Sequence, residues 1–128
     1  MIKITRDEIP IEETINSIRS PESGAVMSYL GTVRSFSDGK RSQGLFFEVD
    51  DSTMQRSLEE VESEALQGFD VQEIAIVHRT GSLTVGENVL LIAISSAHRG
   101  PAFDACHHII DRIKELHRFW KREELVDL

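Results

Sequence analysis

The run Val89-Leu90-Leu91-Ile92-Ala93-Ile94, closed a few residues later by a turn and a proline, constrains this chain more than any other feature. It falls far short of the roughly 20 apolar residues a membrane helix needs. It reads instead as the heart of a buried strand, Asn88 to Ser96, rich in β-branched and aliphatic side chains. Ala97-His98-Arg99-Gly100 makes the turn. Pro101 then opens a helix whose apolar stripe runs through Ala102, Phe103, Cys106, Ile109 or Ile110, Ile113, Leu116 and Trp120.

The remaining elements arrange themselves around that strand–turn–helix unit. Pro10 opens a first helix carrying Ile11, Ile15 and Ile18, and Pro21-Glu22-Ser23-Gly24 ends it. Ala25 to Val33 is a strand with few charges, which suits a central position. Arg34 to Gly44 is expected to be a mobile polar loop, and Leu45 to Val49 a short strand. Ser52 and Gln55 form the pattern of a capping box, Met54, Leu58, Val61, Ala65 and Leu66 the buried stripe, and Gly68 the C-cap of a second helix. Val71 to His78 is a strand, joined to the next by the glycine-punctuated segment Arg79 to Glu87. The order α-β-β-α-β-β-α predicts an α+β fold, a mostly antiparallel sheet with flanking helices, over one domain spanning 1–128.

Composition narrows the function. The chain has 128 residues, 40% hydrophobic and 28% charged, which describes a globular domain able to bury a core. The N-terminus shows no signal-peptide pattern, and the single cysteine, Cys106, has no internal partner for a disulfide; a cytoplasmic protein is expected. A net charge of −8 argues against nucleic acid. Acidic residues dominate between Asp50 and Glu73, whereas Arg99, Arg112, Lys114, Arg118, Lys121 and Arg122 gather after His98. A local basic cluster on an acidic chain points to a small anionic ligand.

Two features carry candidate chemistry. At the turn before Pro101, free helix N–H groups with His98 and Arg99 beside them can cage a phosphate. The alternative is that Ser96 caps the helix while His98 and Arg99 are solvated. Lys114 and Lys121, seven residues apart, share a helix face beside the apolar stripe. They suit acid–base, nucleophilic or purely electrostatic work, or a plain solvated face. Cys106-His107-His108 does not suit a metal, because consecutive helical residues diverge by about 100°. His78 and His117 have no partner at ligand spacing.

At this point the residues resemble a known family. Gly24-Ala25, Leu30-Gly31-Thr32-Val33-Arg34, His78-Arg79-Thr80-Gly81-Ser82-Leu83 with Gly86-Glu87, Ser95-Ser96-Ala97-His98-Arg99 with Ala102-Phe103, Asp111 with Lys114, and Phe119-Trp120-Lys121-Arg122-Glu123 are similar in order and spacing to the catalytic subunit family of molybdopterin synthases. The resemblance spans roughly Gly24 to Glu123.

It implies an α/β hammerhead-like fold, a homodimer at the centre of a heterotetramer, and a ubiquitin-like small subunit whose C-terminal Gly-Gly tail arrives as a thiocarboxylate. The implied reaction is sulfur transfer to a cyclic pyranopterin monophosphate, in two steps through a half-sulfurated intermediate, with no cofactor or metal of the enzyme's own. It further implies that Arg34, His98 and Arg99 bind the substrate anion. Lys114 would line the thiocarboxylate tunnel as the catalytic candidate, and Lys121 would hold the phosphate or tail. Three departures stand out. Leu45-Phe46-Phe47-Glu48-Val49-Asp50 lacks the family's two tyrosines. Leu116-His117-Arg118-Phe119 lacks its proline, which lets the helix run further. The sequence also ends at Leu128, where relatives commonly continue with further substrate contacts. The rival reading is a shortened, non-catalytic paralogue acting as a dimeric adaptor for a ubiquitin-like partner.

Overall fold

The computed structural model describes residues 1–37 and 39–126, with only the backbone at position 37 and at 123–126. Asp38 of the expected loop and residues 127–128 lie outside the described residues. Eleven elements follow in order: β1 (Ile2–Thr5), α1 (Ile11–Ser17), β2 (Ala25–Thr32), β3 (Phe36–Ser37), β4 (Lys40–Phe47), α2 (Asp51–Gly68), β5 (Glu73–Arg79), β6 (Ser82–Thr84), β7 (Asn88–Ser96), α3 (Arg99–Trp120) and β8 (Lys121–Val126). The fold is α+β, and two mostly antiparallel sheets carry it.

The first sheet has the order β1-β5-β7-β2. Only β1 and β5 run parallel; β5 with β7 and β7 with β2 are antiparallel. β7 is buried along almost its whole length, because both faces of the sheet are covered. Strand side chains alternate between faces. Ile74, Ile76, Leu90, Ile92 and Ile94 therefore join α2 and α3 in the main core. Ala75 and Ala93 pack with Ile18 after α1, and Val77 and Leu91 with Ile9 before it. From α2 come Met54, Leu58, Val61 and Ala65; from α3 come Ala102, Ala105, Cys106, Ile109, Ile113 and Trp120. Full burial of a Leu58-sized side chain contributes about 1.5–3 kcal/mol.

α2 and α3 are also clamped across their surface. The Glu64 carboxylate accepts from Arg112 Nε (3.0 Å) and Nη2 (3.2 Å), and from His108 Nε2 (3.0 Å). The Arg112 and His108 bonds hold Glu64 below the ordinary carboxylate range despite its burial.

Several expectations need correction. Ile2–Thr5, outside the expected elements, is the strand β1 and pairs with β5. The segment expected as a loop from Arg34 to Gly44 instead carries the β3–β4 hairpin, with Phe36 opposite Arg41. β4 ends at Phe47, not Val49. The Arg79–Glu87 connection contains β6, paired to β4 through Leu45 and Leu83. Asp50, not Ser52, caps α2: its carboxylate accepts from the Thr53 N–H (2.7 Å) and from the Ser52 and Thr53 hydroxyls (2.7 and 2.9 Å). Those bonds hold Asp50 down at about 2, Ser52 contributing most. Gly68 is the last helical residue, and the cap residue Phe69 is extended, so no left-handed glycine ends α2. α3 begins at Arg99, two residues before Pro101, whose missing N–H costs nothing in a first turn. α3 runs unbroken through Leu116-His117-Arg118-Phe119 to Trp120, and Lys121 opens β8, which pairs with β4.

Candidate active site

Two backbone bonds fix the segment just after β2 that carries Arg34. Val33 is buried, its N–H donates to the Glu87 carbonyl (2.9 Å) and its carbonyl accepts from Gly86 N–H (2.8 Å). Gly86 sits at φ 91°, a left-handed conformation that a side chain would strain. Arg34 is thus displayed from a pinned strand end. Facing it, α3 brings Lys114 one turn after Ile110, and the helix-to-strand junction brings Lys121, whose backbone pairs with Phe47.

These three cations line one cavity of about 280 Å³. Its other walls are Tyr29, Gly31 and Thr32 of β2, Leu45 and Phe47 of β4, Val89 and Leu90 of β7, and Ile110, Ile113 and His117 of α3. Gly31 keeps the floor low: a β-carbon there would stand 3.5 Å from the Tyr29 ring. The apolar residues among these walls lower the local polarity and strengthen each charge toward an incoming anion. That arrangement suits recognition of phosphate or carboxylate groups.

One wall hides a histidine pair. His78 is fully buried at the end of β5, on the face that meets α3. Its Nδ1 lies 2.6 Å from the Arg79 carbonyl and its Nε2 lies 2.8 Å from His117 Nε2. Phe47 packs edge-on against His78 (4.7 Å between ring centres) and tilted against His117 (5.2 Å). Burial pushes His78 down to about 4. Burial, then His78, then the charge of Lys121 push His117 down to about 3. Sequence spacing gave these two histidines no partner. The signal was nevertheless there: His117 continues the Ile109–Ile113 stripe by one more turn, and His78 shares parity with the inward Ile74 and Ile76.

His98 and Arg99 lie elsewhere. Both are exposed at the start of α3. His98 occupies the cap position without capping, and the Ser96 hydroxyl donates to the His98 carbonyl, so Ser96 does not cap the helix either. Arg99 lines a shallow depression with Ala25, Val26, Met27, Ser28, Ala102 and Phe103, along the free edge of β2. Within one chain, then, Arg34, Lys114 and Lys121 meet, and His98 and Arg99 do not join them.

Cys106, His107 and His108 diverge as helical geometry requires. Cys106 is buried, and burial raises its thiol to about 11. His107 faces Asp111 (3.5 Å) and His108 faces Glu64. Among the described residues, no group of three or more His, Cys, Asp or Glu stands ready for a metal, and no helix is long and apolar enough to cross a membrane.

Comparison with known proteins agrees with this geometry. Residues 4–116 match the family model described as MoaE protein. A molybdopterin synthase catalytic subunit from Thermoplasma volcanium is 37% identical over 124 residues, 97% of this chain and 90% of that protein. A solved molybdopterin synthase structure from Staphylococcus aureus superposes with a TM-score of 0.84 at 29% identity, covering 98% of this chain and 92% of that one. A complex of subunits 1 and 2 of molybdopterin-converting factor from Helicobacter pylori shares the fold, with a TM-score of 0.62 at 16% identity over 98% of this chain and 88% of that one. With the family model covering most of its length and close relatives matching nearly end to end, this chain belongs to the MoaE protein family.

Proposed function

We propose that this chain is the catalytic subunit of a molybdopterin synthase, moving sulfur from the thiocarboxylated tail of a ubiquitin-like small subunit onto a cyclic pyranopterin monophosphate. The observation that carries the reading is the single cavity lined by Arg34, Lys114 and Lys121, in a chain whose relatives carry that activity in their names. A thiocarboxylate and a phosphate repel each other, and fixed cations in an apolar recess offset that repulsion where the two must meet. Arg34 binds the substrate anion. Lys121 holds the phosphate or the tail. Lys114, on the helix face beside Ile110, is the group we assign to the transfer step itself.

His98 and Arg99 enter this reading through a second copy of the chain. The unpaired edge of β2 is flanked by exposed Val26 (38%), Leu30 (39%) and Phe103 (55%), a surface that favours association. If two copies pair antiparallel along β2, the start of one strand faces the end of the other. Arg99, beside Ala25 to Ser28, would then approach the partner's Gly31–Arg34 end and complete the anion site. A small subunit docked on each protomer makes the heterotetramer, with the reaction in the cytoplasm. Purified chain, thiocarboxylated small subunit and the pterin should together form the dithiolene product. Tight partner binding with no product would instead favour the non-catalytic adaptor.

A further inference from the structure

The histidine pair in the cavity wall has its protons fixed by its neighbours. A carbonyl oxygen only accepts, so His78 Nδ1 carries the proton and donates it to Arg79 O. His78 Nε2 therefore offers a lone pair, and His117 Nε2–H must donate to it across 2.8 Å. His117 Nδ1 is left unprotonated in a ring that lines the cavity, with no protein hydrogen-bond partner among the described residues. Among the described residues, the charged groups that line the cavity with this ring are cations: Lys114 on its own helix, Lys121 at the start of β8 and Arg34 after β2. Phe47 from β4 and Tyr29 from β2 add aromatic walls, and His78 on β5 closes the back. Burial first, then His78 and the charge of Lys121, keep His117 neutral at physiological pH.

We propose that His117, its tautomer locked by His78, is a positioning residue that presents a neutral acceptor to the ammonium groups of the cavity, Lys121 first, and so aims them at the bound anion. A carboxylate in the same place would cancel the charge the substrate needs. A neutral imidazole orients a lysine without bringing a negative charge of its own into the cavity. The inference rests on the reading above that this cavity receives those anions.

The full-length chain carrying His117→Gln or His117→Asn tests it. Glutamine places its amide where Nε2 was, keeping a donor for His78 but no acceptor at Nδ1; asparagine places its carbonyl where Nδ1 was and gives up the bond to His78. With an acceptor to a charged donor removed, His117→Gln should lower kcat for sulfur transfer and the affinity for inorganic phosphate about tenfold each, with the small-subunit KM unchanged. His117→Asn should recover most of both. Equal losses in the two variants would mean that the ring merely packs, and a His117→Gln chain at the unmutated level would mean that the acceptor is immaterial; either overturns the proposal. Nitrogen NMR of the unmutated chain should show His117 as the Nε2–H tautomer from pH 5 to 8, and the Nδ1–H tautomer would equally overturn it. If the unmutated chain binds phosphate but transfers no sulfur, the functional reading fails, while the phosphate affinities and the tautomer still decide the role of His117.

Discussion

The two ends of α3 both present basic residues, yet only one of them makes a cavity. At the C-terminal end Lys114 and Lys121 line one cavity with Arg34, with half-buried His117 and fully buried His78 in its wall. At the N-terminal end His98 and Arg99 stand exposed beside a strand edge that is unpaired among the described residues. The helix has 22 residues, so at about 1.5 Å per residue its ends lie about 33 Å apart. A phosphate spans a small fraction of that distance. The difference teaches that a basic cluster in sequence need not be one site: the C-terminal cations are organised by this chain's own fold, and the N-terminal pair stands apart from them, which is why we propose that a second copy completes its role.

The sharpest way to break the comparison is at Lys114. Lys114→Ala should lower single-turnover product formation at least about 100-fold, equivalent to ~2.7 kcal/mol of transition-state stabilisation, while small-subunit affinity stays. Lys114→Arg should restore activity if only charge is needed, and should restore little if a proton or covalent bond passes through the amine. Near-normal turnover in the alanine variant would remove Lys114 from the chemistry. At the other end, Arg99→Ala should weaken pterin binding by about tenfold with the melting temperature unchanged, because it deletes one charge-assisted contact. Isothermal titration would measure it, and unaltered affinity in a folded variant would detach Arg99 from the site.

Acid should separate the two ends next. His78 and His117 have folded values near 4 and 3, below the ordinary 6.5, because both are buried. The unfolded chain therefore takes up protons first, and stability is greatest above pH 6.5 and falls as pH drops toward 4. By pH 5 His78 alone should cost about 2 kcal/mol, seen in urea melts. Hydrogen exchange should loosen the Lys114–Trp120 stretch before the Ala102–Ile109 stretch. The smallest effect belongs to a position away from both ends. Asp50→Ala removes the α2 cap, so a drop of a few degrees in melting temperature is expected, of order 2–5 °C, with pterin affinity untouched.

Much of this was legible in the chain. Long apolar stretches announced β2 and β7, and helical stripes announced α2 and α3, because burial there is decided by local periodicity. What escaped was short or decided by distant partners. Ile2–Thr5 is a strand only because β5 lies beside it, and Lys121–Val126, rich in charge, is a strand only because β4 offers an edge. Ser82–Thr84 has too few residues to show alternation. Of the site, the cations were visible by spacing and resemblance, whereas the His78–His117 contact joins residues 39 positions apart and shows only when strand parity and helix stripe are read together. That Arg99 and Lys121 stand far apart within one chain shows only once α3 is seen to run unbroken from Arg99 to Trp120.

The central claim, that each anion site joins the C-terminal end of one α3 to the N-terminal end of its partner's, meets its most direct test in a mixture of two variants. Arg99→Ala and Lys114→Ala chains, each impaired alone at pterin concentrations well below saturation, are unfolded together, refolded at equal concentration and assayed for dithiolene at that same pterin concentration. Random pairing makes about half the dimers mixed, and each mixed dimer holds one site free of both substitutions, so about a quarter of the unmutated activity should return. If both residues served a site within one chain, no site in any dimer would be whole, and activity would stay at the level of the separate variants.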